Sequence, residues 1–116
     1  MTFIGFRQVP EKAPEYLVYV RSLESAASGR MGCIAHHRIG HRYSQTKVSD
    51  YQVIPLIDDE LEHKRLHSIG VHEFEKEIGK TEWEMIGRTL YRAVQDGVLV
   101  LDKKRALAIG AELRSA

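Results

Sequence analysis

Apolar and polar positions change rhythm several times along this chain, and each change marks an element. PEYLVYVRSLES, beginning at Pro14, puts Leu17, Val20 and Leu23 on one face with Tyr16 near its edge. That spacing predicts a helix of about ten residues packed against a core, with Pro14 at its first position. Ahead of it, residues 1 to 13 read as extended and irregular, punctuated by Pro10. SAASGRMG is a small-residue loop, and CIAHHRI reads as a strand despite its histidines. GHRYSQTKVSD is a polar, partly basic loop, and YQVIPL a second short strand whose Pro55 points to an edge or a strand end. Together the strands form a hairpin with a long loop.

Helical spacing returns after the hairpin. DDELEHKRLHSIG has its acids first, Lys64 and Arg65 later and Gly70 last, the charge order that a helix dipole favours. KTEWEMIGRTLYRAVQDGVLV offers Thr81 and Glu84 as a capping box, an apolar stripe at Trp83, Ile86, Leu90, Ala93 and Val94, and Gly97 as terminator. The tail DKKRALAIGAELRSA reads as another helix, interrupted by Gly110. This order predicts an α+β fold, and 116 residues suit one domain over 1–116.

Charge and cysteine content restrict what such a domain does. Seventeen basic against sixteen acidic side chains leave a formal charge of +1, so any positive surface is local. The lone Cys33 excludes an internal disulfide and a Cys-rich zinc site, and is expected as a small buried hydrophobe in a reducing compartment. The first residues lack the apolar run of a signal peptide, and no stretch approaches the roughly 20 apolar residues that span a bilayer. The expectation is a soluble, cytoplasmic protein without a membrane partner.

The chemistry is concentrated in histidine. All six, His36, His37, His41, His63, His67 and His72, lie within residues 36 to 72. His63 and His67 are four apart in the second predicted helix, so they share a face. His36 and His37, adjacent on a strand, project to opposite sides and should have two jobs, unless a twisted strand end lets both reach one place. Neutral imidazole is both a common metal ligand and a natural general base near neutral pH. The competing reading is hydrogen-bonded or surface histidine, which is stronger for His41 and His72, away from where hairpin and helix converge.

Strand with His-His, loop with Ser-Asp, strand ending in Pro-Leu and helix with His resembles the HNH endonucleases and their ββα-metal core. The stretches YLVYVRSLES, AHHRIGH, TKVSDYQVIPL and HKRLH followed by HEFEKEIG resemble, from Tyr16 to Val100, a family of small phage and prophage HNH nucleases of the RecA-dependent recombination type. The resemblance implies a core over about 33–70, a flanking N-terminal helix and a helical part over about 71–116. It implies His37 as the general base that activates water, His36, His63 and His67 as ligands of one divalent metal, and Asp50 as the residue that ties down the loop and orients the base. Lys47 matches a loop held near the DNA backbone; with Arg38, His41 and Arg42 it concentrates positive charge beside the histidines, suited to phosphate contact. Lys103, Lys104 and Arg105 read instead as a solvated helix end.

The resemblance thus implies a metal-dependent DNA endonuclease in phage-type recombination, with DNA and a RecA-type recombinase filament as partners. Imidazole ligands suit zinc, nickel, manganese or iron better than magnesium, which prefers oxygens; the expectation is one divalent metal, Mg or Mn in catalysis, with Zn able to take its place in crystals. Its alternative is a catalytically degenerate relative that binds DNA, a recombinase or metal without cutting. Relatives generally carry Pro-Cys-x-x-Cys-Gly after the first helix and a further cysteine after Pro-Leu, forming a structural zinc site. Here those positions read Glu24, Ser25, Ala26, Ala27, Ser28, Gly29 and Pro55, Leu56, Ile57, while Glu62 stands where relatives often have another histidine. Serine hydroxyls are poor zinc ligands, so no structural zinc is expected, and apolar packing involving Cys33 and Ile57 is expected to replace the clamp.

Overall fold

A proline with its ring-fixed φ and no N–H to leave unpaired suits a first helical turn, and Pro14 opens helix α1 (Pro14–Arg21) in the computed structural model, which describes residues 12–39 and 48–99. The helix ends after Arg21, where the Ser22 hydroxyl donates to the Tyr19 carbonyl. Tyr16 and Val20, four apart, are its buried residues; Leu17 is half-buried, and Leu23 is buried beyond the helix end. Of the expected stripe, Val20 and Leu23 are buried, and Tyr16 rather than Leu17 completes the inward side.

Strands β1 (Cys33–His37) and β2 (Val53–Ile57) pair antiparallel with Cys33 opposite Ile57, Ala35 opposite Pro55 and His37 opposite Val53. The ladder continues through Arg38 N–H to the Gln52 carbonyl at 3.0 Å. With only two strands in this sheet, each is an edge, and Pro55 costs no ladder beyond. Val53, Ile54, Pro55 and Leu56 are buried in succession, which a strand achieves only when both its faces are covered. Helix α1 packs on both strands and helix α4 (Glu82–Gln95) on β2.

Helix α2 (His63–Ile69) begins later than its acids imply. Asp59 Oδ1 accepts the N–H groups of Leu61 at 3.0 Å and Glu62 at 3.1 Å, so an aspartate-stabilised turn occupies the place of a first helical turn. Gly70, at φ +92°, then redirects the chain into α3 (Val71–Ile78), a conformation that a side chain would strain. Leu66 from α2 and Phe74 from α3 are each about 1% exposed and anchor this pair of helices in the core beside Ile54, Met85 and Ile86. One half of the expected capping box closes α4, with Thr81 Oγ accepting the Glu84 N–H at 3.1 Å. Ile86, Leu90 and Ala93 are buried together with Met85, while Trp83 is half-buried and Val94 is 38% exposed, at the margins of the stripe.

The link between the loop after α1 and the end of β2 is polar, correcting the expectation of apolar packing. Cys33 is buried and paired with Ile57 in the sheet, but the tie is the carboxylate of Glu62. It accepts from the hydroxyls of Ser25 and Ser28, from Arg30 at 2.7 Å and from the Ile57 N–H at 2.9 Å. Burial alone would push the Glu62 carboxyl up, yet these donors together hold it below the usual carboxylate range.

Four helices and a two-stranded antiparallel sheet thus make a mixed α+β structure among the described residues. No helix among them is long and apolar enough to cross a membrane. The expected elements at residues 1–11 and in the tail, together with His41, Arg42, Lys47, Lys103, Lys104 and Arg105, lie outside the described residues.

Candidate metal centre

Strand alternation separates the two adjacent histidines as expected. His36 is 3% exposed and meets the face of α2, while His37 is about one-third exposed and turns to the chain preceding β2. One helical turn separates His63 and His67, which puts both rings opposite His36. Ring centroids lie 5.2 Å apart for His36 and His63, 5.7 Å for His36 and His67 and 4.6 Å for His63 and His67, all edge to face. One nitrogen from each ring lies within 4.8 Å of the other two.

The hydrogen bonds of these rings decide which nitrogens are open. His63 Nδ1 lies 2.9 Å from Asp58 Oδ1; a carboxylate can only accept, so the ring proton is on Nδ1 and the Nε2 lone pair is left. That open Nε2 accepts from His67 Nε2–H at 3.1 Å, a proton that an ion bound to both nitrogens would displace. Two nitrogens bound to one tetrahedral ion at about 2.0–2.1 Å would stand about 3.3 Å apart, so the pair is already at the spacing of two ligands. Partial burial of its ring, then the neighbouring His63 and His36, hold the His67 imidazole below its ordinary value, with Glu82 and Asp58 acting the other way. A neutral imidazole is the form that gives a metal its lone pair. Three clustered imidazoles with neighbouring carboxylates therefore fit a divalent ion that accepts nitrogen donors, and fit magnesium least.

His37 belongs to a separate pair. Its Nε2 lies 2.8 Å from Asp50 Oδ1, and Asp50 Oδ2 accepts the Ala13 N–H at 2.7 Å. With the ring proton donated to Asp50, Nδ1 carries the lone pair able to take a proton. Asp50 is thus fixed between the entry to α1 and the His37 ring.

Of the cationic residues singled out in the sequence, Arg38 is placed: its guanidinium lies 4.5 Å from the Trp83 ring centroid and its Nε donates to Gln52 at 3.2 Å. His72 is exposed on α3, with Nδ1 3.7 Å from Glu75, and does not join the cluster. Sequence reasoning missed Glu82. This residue, 2% exposed, places Oε2 3.1 Å from His36 Nε2 and 3.2 Å from the Ile39 N–H. Its acid type beside the cap at Thr81 reads as a helix-dipole charge, and only the fold shows that it turns inward.

No curated protein and no solved structure matches the chain. Residues 7–97 match the model of DUF968, a family of proteins of unknown function, and the chain belongs to that family.

Proposed function

We propose that this protein is a metal-dependent DNA endonuclease of the HNH type, with β1, β2 and α2 as its ββα-metal core. What carries the reading is one arrangement: three imidazoles converge on a common point, while the residue next to one of them is a fourth imidazole held by a carboxylate. Backbone phosphodiesters resist hydroxide because they are anionic, so their hydrolysis needs both a base and a cation. His36, His63 and His67 would hold the ion, which when bound offsets negative charge developing on the phosphate and the leaving oxygen. His37 Nδ1 takes a proton from water as the water oxygen forms its bond to phosphorus and the bond to the leaving sugar oxygen breaks. Asp50 keeps the His37 ring in the tautomer that leaves Nδ1 open and stabilises the imidazolium that forms. Arg38, with Arg42, His41 and Lys47, supplies the local positive charge for the DNA backbone, which a formal charge of +1 over the whole chain does not. The setting of this activity in the proposal is cytoplasmic, phage-type recombination with a RecA-type filament as partner.

The test is nicking of supercoiled plasmid by chelator-stripped protein with Mg, Mn or Zn restored, comparing the parent with His37→Ala. Metal-dependent nicking that the substitution abolishes, with the melting temperature retained, is the expected result. Parent and variant behaving alike under every metal overturns it. Metal and DNA binding by both without cleavage identifies the degenerate alternative, to which the serines at the positions of the relatives' cysteines would belong.

A further inference from the structure

We propose that Glu82 is a positioning residue of the metal centre, fixing His36 in its Nε2–H form and so making Nδ1 the nitrogen that ring gives to the ion. The inference rests on the three-histidine reading above and adds a residue to it. An acid at the start of a helix ordinarily faces water, where it complements the dipole. Glu82 instead is 2% exposed, and a buried carboxylate persists only where donors are aimed at it. Its Oε2 faces two, His36 Nε2–H at 3.1 Å and Ile39 N–H at 3.2 Å. Because a carboxylate only accepts, the shared proton belongs to Nε2, and the lone pair of His36 is on Nδ1.

The placement of Glu82 is itself determined from both sides. Its backbone N–H donates to Glu75 Oε2 at 2.7 Å, joining α3 to the first turn of α4, and the Thr81 cap fixes that turn. The two groups it accepts from, on residues 36 and 39, bracket His37, so one carboxylate sets the ring before the proposed base and the backbone after it. Asp58 acts in the same way on Nδ1 of His63, but it is 50% exposed, where water competes. The buried partner is therefore the one whose removal should be felt. A carboxylate that orients a ligating histidine and raises its basicity typically contributes about 10–100-fold to metal affinity.

The experiment is a zinc titration against a competing chelator and a cobalt absorption spectrum, on the full chain, for the parent, Glu82→Ala and Glu82→Gln. Zinc affinity is expected to fall about 10–100-fold in the alanine variant. The glutamine variant, which keeps an oxygen for the Ile39 N–H but loses the charge, should fall between. The cobalt band should hold its position in both, since no ligand atom is lost. Unchanged zinc affinity in both variants, whatever their melting temperatures, overturns the role, and a displaced cobalt band overturns it by making Glu82 a ligand. Should the alanine variant not fold, nitrogen NMR of the metal-free parent decides: His36 protonated on Nε2 supports the assignment and on Nδ1 overturns it. A parent that binds no zinc overturns the three-histidine reading and the role of Glu82 with it, and does so before any variant is compared.

Discussion

Asp50 holds His37 from one oxygen and the entry to helix α1 from the other, at 2.8 Å to Nε2 and 2.7 Å to the Ala13 N–H. A side chain so placed should matter to the base without touching the metal. Asp50→Ala is expected to slow single-turnover nicking by about a hundredfold while zinc affinity stays near that of the parent. Asp50→Asn, which still offers an oxygen acceptor, should lose less. Equal rates for all three proteins would remove Asp50 from the mechanism.

The Glu62 tie predicts a stability effect independent of activity. Glu62→Ala leaves the buried Ser25 hydroxyl and the Ile57 N–H without their acceptor and takes away one of the two carboxylates paired with Arg30, Asp59 being the other. Urea unfolding of the metal-free protein should show a loss of about 2–4 kcal/mol. A loss within the scatter typical of surface substitutions, about 0.5 kcal/mol, would mean that water replaces these bonds at no cost.

Cys33 gives the pH dependence a defined sign. Burial, then the charges of Glu62 and Glu24, push its thiol up from 9.0 to about 11. The folded chain therefore keeps the proton at pH values where the unfolded chain has lost it. The stabilisation is complete below about pH 9 and is lost as pH rises through about 11. Ultraviolet thiolate absorbance should show ionisation delayed in the native protein and restored to the ordinary range in denaturant. Thiolate appearing at the same pH in both states would contradict the burial argument.

Much of this site was legible because its parts obey short-range periodicities. His63 and His67 are one helical turn apart, and His36 and His37 are neighbours on a strand, so each pair's geometry follows from spacing alone. The convergence of His36 on the helix pair was legible through clustering and through resemblance to the HNH pattern. Glu62 and Glu82 were not, since each acts on groups distant in sequence: Glu62 on Ser25 and Ser28, Glu82 on His36. No periodicity links such positions, and an acid near a helix start is by default a surface charge. The start of α2 was misplaced for a local reason, because Asp59 uses its side chain to cap a turn where charge order alone implies a helix.

Ion binding should also report on folding. Zinc at about a hundredfold above its dissociation constant is expected to stabilise the parent by about 2.7 kcal/mol, read as a rise in melting temperature. His63→Ala and His67→Ala should each reduce that rise, and the double variant should abolish it. A rise that survives in the double variant would place the ion elsewhere.

In the proposed enzyme His36, His63 and His67 share one ion. Anomalous diffraction at the zinc or manganese edge, from crystals grown with that metal, tests it directly. One peak should lie within about 2.0–2.3 Å of a nitrogen of each of the three rings. A peak bound to other residues, or metal-soaked crystals whose three rings carry none, would contradict it.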